Sequence, residues 1–330
     1  MRIIIDAFGG DNAPLAVLQG SRRAKDELGV DIVLSGDETR IREAAQQAGI
    51  QISDMEILHA PEVFDIHAQP TTILKEGKNT SMAVGLQALR DGKGDAIVCA
   101  GSTGGLVAGA TFINKRIKGI KRPALAPILP TKKGPLMLMD AGANIDCRAD
   151  MIVQFAIMGS VYMEKVKGIN NPRVGLLNVG AEETKGRELE LQAYELLQKA
   201  PINFCGNIEA REMPEGNFDV VVSDGFSGNI ALKLYEGMGA FMRDNIGDMF
   251  SGAGKISALL IYPRIKALRK RMDYKEHGGA VLMGISAPVI KAHGSSDGKA
   301  FFNAIRQARD CVEGGIISTI SAHLETMKGV

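Results

Sequence analysis

The 330 residues suffice for one large α/β domain or two small ones, and a hydrophobic content of 45% supplies a sizeable core. Charged residues make up 23%, and 39 cations against 38 anions leave a formal charge of +1, which excludes the basic excess of a dedicated nucleic-acid binder.

In chain order, Met1-Arg2-Ile3-Ile4-Ile5-Asp6 reads as a strand over 2–7, without the basic region, long apolar run and small-residue cleavage site of a signal peptide. Pro14 suits the first turn of a helix running to about Leu28, which Gly29 stops. Short β-branched runs predict further strands at 31–34, 96–100, 136–140, 174–178, 220–223 and 289–292. Amphipathic stretches between them predict helices at 80–90, 148–165, 184–199 and 297–327. The alternation is that of a parallel-sheet α/β fold with helices on both faces, in one continuous domain over 1–330 with room for two lobes. No run of 18 apolar residues offers a membrane span, so the expected location is the cytoplasm. Cys99, Cys147, Cys205 and Cys311 form no CxxC pair and read as reduced thiols rather than a disulfide framework or zinc site.

Six predicted strands end in turns rich in Gly, Asn, Ser or Asp: Asp6–Asp11, Ala100–Gly105, Asp140–Asn144, Asn178–Glu183, Asp224–Asn229 and His293–Asp297. Any one of these is explained by turn formation alone. Six together point to a composite polar site outside the carboxyl ends of a parallel sheet, where ligands of open α/β folds bind. The common signatures do not occur: there is no GxxxxGK[ST], no GxGxxG at the opening strand, no HExxH, and Gly225-Phe226-Ser227-Gly228 misses GxSxG by one position.

The residue types favour an anion. Ser102-Thr103-Gly104-Gly105 offers hydroxyls and amides at a helix start after a buried strand. Lys185 opens the predicted 184–199 helix, where a cation opposes the dipole and a bound anion would explain it; a solvated lysine is the alternative. Asn229 fits either an oxyanion donor or the cap of the next helix. His293, alone of five histidines, lies in a polar turn, and a surface role competes with a catalytic one.

A second feature is a predicted helical hairpin over about 235–272. Residues 255–272 hold six cations (Lys255, Arg264, Lys266, Arg269, Lys270 and Arg271) and no acid, while Leu259, Leu260, Ile261 and Tyr262 form an apolar tip. Periodicity alone suits a packing or subunit-contact hairpin; the sign bias suits an anionic partner, lipid headgroups or an acidic carrier protein.

Taken together, DAFGGD (Asp6–Asp11), AGSTGG (Ala100–Gly105), MDAGAN (Met139–Asn144), LLNVGAEETKG (Leu176–Gly186), GNIE (Gly206–Glu209), SDGFSGN (Ser223–Asn229) and KAHGSSD (Lys291–Asp297) resemble the PlsX family of bacterial phosphate acyltransferases, in order and over nearly the whole chain. The resemblance implies transfer of a fatty acyl group from acyl carrier protein (ACP) to inorganic phosphate, for phospholipid synthesis. It also implies a fold like phosphotransacetylase and isocitrate dehydrogenase, a homodimer, peripheral association with an anionic membrane, and a downstream membrane glycerol-3-phosphate acyltransferase. On that reading Lys185 and Asn229 serve phosphate and oxyanion, and Ser102, Thr103, Gly104 and Gly105 form a phosphate cradle. His293 is a candidate for proton transfer, while Asp140, Asn144 and Asp224 bind or order the site. Leu259, Leu260, Ile261, Tyr262, Arg264, Lys266, Lys270 and Arg271 are the expected membrane or ACP contact. Neither metal nor nucleotide cofactor is implied. An acyl-CoA-dependent phosphotransacetylase and a carrier-binding scaffold without turnover are the rival readings.

Overall fold

The computed structural model describes residues 1–249 and 278–327. The expected membrane or ACP contact, from Leu259 to Arg271, lies outside them, as does most of the predicted hairpin.

Twelve strands form two sheets among the described residues. The first contains β1 (Arg2–Asp6), β2 (Asp31–Gly36), β3 (Glu56–His59), β4 (Ala96–Cys99), β5 (Ala124–Ala126), β11 (Ala280–Met283) and β12 (Val289–Lys291), in the order β3-β2-β1-β4-β12-β11-β5. The second contains β6 (Ile128–Pro130), β7 (Pro135–Met139), β8 (Arg173–Asn178), β9 (Asn203–Glu209) and β10 (Val220–Val222), in the order β6-β7-β10-β8-β9. Pairing is parallel except where β11 meets β12 and β5, and where β6 meets β7. The chain leaves the first sheet at Pro127 and re-enters it at β11.

The helices follow from the same residues that predict them. α1 (Leu15–Leu28) ends at Gly29 with φ 67°, and α2 (Glu38–Ala48) starts on the Asp37 side chain, which accepts from Arg40 N. α3 (Ser81–Arg90) is capped by Thr80, and α4 (Thr103–Gly109) by Ser102. α5 (Ala149–Lys165) packs on β7 and β10 and buries Phe155 and Tyr162 completely. The central strands β4, β7 and β10 are apolar throughout or nearly so, as strands covered on both faces must be.

Three boundaries differ from expectation. The helix expected over 184–199 is α6 (Glu188–Lys199): Gly186 takes φ 105°, and the Glu190 carboxylate in the first turn accepts from Arg187 N at 2.7 Å and from the Arg187 guanidinium. Lys185 therefore sits on a loop before the helix. The helix expected over 297–327 is two, α8 (Gly298–Glu313) and α9 (Ile316–Met327), broken where Gly315 takes φ 58°. Finally, α7 (Gly225–Met249) starts at the glycine after Asp224, whose carboxylate accepts from Ser227 N at 2.6 Å. Asp224 is the cap, so Asn229 does not cap this helix and its amide is left for other work.

Candidate functional site

All six polar turns lie at carboxyl ends of strands, and hydrogen bonds join them. Asp11 N donates to Gly294 O at 2.8 Å, which ties the turn after β1 to the turn after β12. In the second sheet Gly225 N donates to Asn144 O at 2.7 Å. A Cβ at Gly225 or Gly228 would collide with the Asn144 or Asp140 carbonyl, so only glycine lets the first turn of α7 press against the turn after β7.

Between the two sheets four of these turns, those after β4, β7, β10 and β12, border a cleft of about 880 Å³. One wall carries Thr103, Lys291, Ala292 and His293 from the first sheet; the other carries Ala141, Gly142 and Asn229 from the second. From there the cleft runs along Leu125, Ile128, Leu129, Met213, Leu232 and Tyr235, an apolar channel. Pockets of this size bury most of a small ligand.

Of the predicted residues, Thr103, Asn229 and His293 line the cleft, whereas Ser102, Gly104, Gly105, Asp140, Asn144, Asp224 and Lys185 stand outside its lining. Hydrogen bonding separates them further. Asp140 accepts from the backbone N–H of Leu125, Gly142, Ala143 and Asn144, and from the Asn144 side chain. Asn144 also donates to Pro123 O at 2.7 Å. Asp224 caps α7 and forms an ion pair with Arg187, which ties the loop bearing Lys185 to the start of that helix. Ser102 Oγ accepts from Gly105 N at 3.3 Å. These groups hold the turns in shape. By contrast, neither the Asn229 amide nor the Thr103 hydroxyl has a hydrogen-bond partner among the described residues, and the exposed Lys185 ammonium forms no ion pair there.

Burial disfavours a thiol nucleophile. Burial pushes the Cys99 thiol well up, with Asp6 adding to it, and pushes the Cys147 thiol up to about 11. Burial also raises Asp140, partly offset by the N–H groups of Ala143 and Leu125. Desolvation lowers the imidazole of His293, whose Nδ1 lies 2.9 Å from Ser295 Oγ. Lys291 is a lining residue absent from the expected set. Its signal in the sequence is a lone cation closing an apolar strand beside a glycine turn, and spacing alone does not say that its side chain reaches a cleft.

A family model described as "Fatty acid synthesis protein" matches residues 1–319. A phosphate acyltransferase of Clostridium botulinum (strain Loch Maree / Type A3) is 46% identical over 327 residues, 98% of each chain. A phosphate acyltransferase of Desulforamulus reducens is 44% identical over 336 residues, 100% of this chain and 99% of its own. Among solved structures, the EutD phosphotransacetylase from Staphylococcus aureus superposes with a TM-score of 0.64 over 94% of each chain at 16% identity, a likeness of fold.

Proposed function

Because the chain belongs to the fatty acid synthesis protein family of phosphate acyltransferases, and is thus an acyltransferase, we propose that it moves a fatty acyl group from ACP to inorganic phosphate. The observation that carries this reading is the meeting, in one cleft, of uncommitted polar groups on Thr103 and Asn229 with an apolar channel walled by Leu125, Ile128, Leu129, Leu232 and Tyr235. A phosphate at the polar end faces the thioester carbonyl of an acyl chain lying along the channel.

Phosphate is itself the nucleophile. One of its oxygens bonds to the carbonyl carbon, and the tetrahedral adduct collapses with cleavage of the C–S bond. The thiolate leaves on the carrier with the electron pair and takes a proton from solvent; a thiol of pKa about 8.5 needs little acid help. Catalysis then consists of positioning and of donors for the developing oxyanion. Asn229 supplies such a donor from the first turns of α7, Thr103 supplies a hydroxyl to phosphate, and Lys185 closes over the anion from its loop. The N–H groups of Ser102 and Gly104 complete the cradle, Gly105 N–H being held by Ser102 Oγ, while Asp140, Asn144 and Asp224 hold the surrounding turns. His293, neutral near pH 7, serves as a hydrogen-bonding partner at the same wall. No acyl-enzyme forms on this route, in keeping with the raised thiols of Cys99 and Cys147.

Two wider assignments belong to the same proposal. The chain works as a homodimer, for which α7 offers an exposed apolar stripe of Phe226, Ile230, Leu234, Met238 and Phe241 at helical spacing. It works at the inner face of the cell membrane as a peripheral protein, beside the glycerol-3-phosphate acyltransferase that consumes its product. The cation-rich, acid-free segment 255–272 supports the membrane contact. Among the described residues no helix is long and apolar enough to cross a membrane. The deciding experiment is phosphate-dependent release of free thiol from acyl-ACP by the purified protein, beside acyl-CoA. Release from acyl-CoA alone turns the assignment to a phosphotransacetylase; no release from either leaves a carrier-binding scaffold.

A further inference from the structure

The cleft is lined by several cations, and most already have a partner. Lys132 pairs with Glu215 at 2.6 Å, Arg211 with Glu209 at 2.6 Å and Lys233 with Glu236 at 2.8 Å. Lys291 differs. Among the described residues it has no carboxylate partner, and its Nζ donates to two backbone carbonyls, Ala100 O at 3.2 Å and Ala292 O at 2.6 Å. An ammonium carries three donors, so one is left.

The position of this lysine is rigid. It closes β12, which is paired with β4 on one side and β11 on the other, in register with Cys99 and Ala280. The two carbonyls that hold its ammonium belong to the turns leading from β4 to Thr103 and from β12 to His293. Those turns carry two further lining residues, and Asn229 faces them from the second sheet. An ammonium held out of bulk water by neutral carbonyls alone is costly, because carbonyl dipoles do not cancel its charge. Burial pulls Lys291 below the ordinary lysine value, and its neighbours Cys99 and Asp6 offset only part of that. An apolar acyl chain gives no reason to keep a cation there; a small anion does.

We infer that Lys291 binds the attacking phosphate, its third ammonium proton on one phosphate oxygen while the Ala100 and Ala292 carbonyls fix the side chain. The inference rests on the acyltransferase reading above and adds to it the principal phosphate ligand. The phosphate it holds then sits on the first-sheet wall and Asn229 lines the opposite one, with the thioester carbonyl between them.

The test uses the full-length protein and inorganic phosphate as probe. Lys291→Met removes charge and donors; Lys291→Gln removes the charge but keeps amide protons for the two carbonyls, which guards against a folding defect. Phosphate binding is measured by calorimetric titration without any acyl donor, and KM for phosphate and for acyl-ACP separately by thiol release. The expected result is a loss of about 10- to 100-fold in phosphate affinity, the scale of one charge-assisted hydrogen bond, with KM for acyl-ACP unchanged. A folded Lys291→Gln that titrates phosphate like the parent overturns the inference, and so does a parent protein that binds no phosphate. A parent that binds phosphate through Lys291 but turns over no acyl-ACP supports the anion site and sinks the donor assignment alone. Equal losses in both KM values overturn the inference in favour of a structural lysine.

Discussion

At the scale of single residues the site divides by what each polar group already holds. Asp140 organises four backbone N–H groups, and Asp224 holds a helix start and Arg187. Asn229 and Lys185 hold nothing comparable among the described residues, so replacing either by alanine is expected to spare the fold. Lys185→Ala and Asn229→Ala are each expected to slow acyl phosphate formation by on the order of 10²-fold, the cost of one lost oxyanion donor, with urea midpoints unchanged. Near-parental rates in either would remove that residue from the mechanism. The candidate nucleophiles give a complementary prediction. Cys99→Ala, Cys147→Ala and Ser227→Ala retain substantial turnover, and labelled acyl chains leave no covalent mark on the protein when the reaction is quenched in acid. A labelled peptide from any of the three positions would replace direct attack by a two-step route. Thr103, Asn229 and His293 were legible because turn chemistry is local: glycine and polar side chains after an apolar strand mark a carboxyl-end turn in any parallel sheet. Lys291 was not, since its role depends on a neighbour 191 residues away in sequence.

Among the elements, the pairing of β8 with β10 shows how charge holds a sheet margin. Arg173, first in β8, donates from its backbone N and its guanidinium to Asp219, just before β10, at 2.8 and 2.9 Å. Burial alone would raise the Asp219 carboxyl, but the Arg173 hydrogen bonds outweigh it and hold the group below its ordinary value. A carboxylate depressed in this way stabilises the fold fully above its unfolded value, and the contribution fades as pH falls through the lower folded value. Asp219→Asn is therefore expected to lose about 1.5–3 kcal/mol at neutral pH, as for a hydrogen-bonded charge. The gap from the parent should narrow only in acid, below about pH 4, as read from urea unfolding across pH. A gap of constant size down to pH 2 would show that packing rather than charge is lost. Element boundaries were legible where a cap is spelled out, as at Thr80 and Gly29. They were missed where one residue overrides a periodic run: Gly186 delays α6, and Gly314-Gly315 divides what reads as one amphipathic helix into α8 and α9.

At the scale of the whole molecule, the two proposed contact surfaces can be told apart. Phe241 on α7 is 60% exposed, and burying such a ring is worth about 1.5–3 kcal/mol. Phe241→Asp is expected to raise the dimer dissociation constant at least about tenfold in sedimentation equilibrium. Leu260→Asp, in the predicted apolar tip, is expected to weaken co-sedimentation with anionic vesicles while leaving thiol release in solution nearly unchanged. The vesicle binding should also fall as salt rises. If Leu260→Asp changes the dimer and Phe241→Asp the vesicle binding, the two surfaces have been exchanged. The division into two sheets was not legible. It occurs at β5 and β6, strands of three residues each separated by Pro127, too short for a period to register.

The placement of β12 between β4 and β11 bears on how the polypeptide is made. β4 emerges from the ribosome at residue 99, but the strand that covers its open edge emerges near residue 291. Through most of synthesis the nascent first sheet must present a bare, apolar edge in Ala96–Cys99, the kind of edge that templates aggregation. Lys291, at the end of that same strand, and His293, in the turn after it, arrive together, so the cleft walls come together only once the late segment docks. Long-range closure of this kind slows folding relative to local pairing, and translation arrested near residue 249 should leave a chain that chaperones hold and proteases reach, with no phosphate site to show for three quarters of its length.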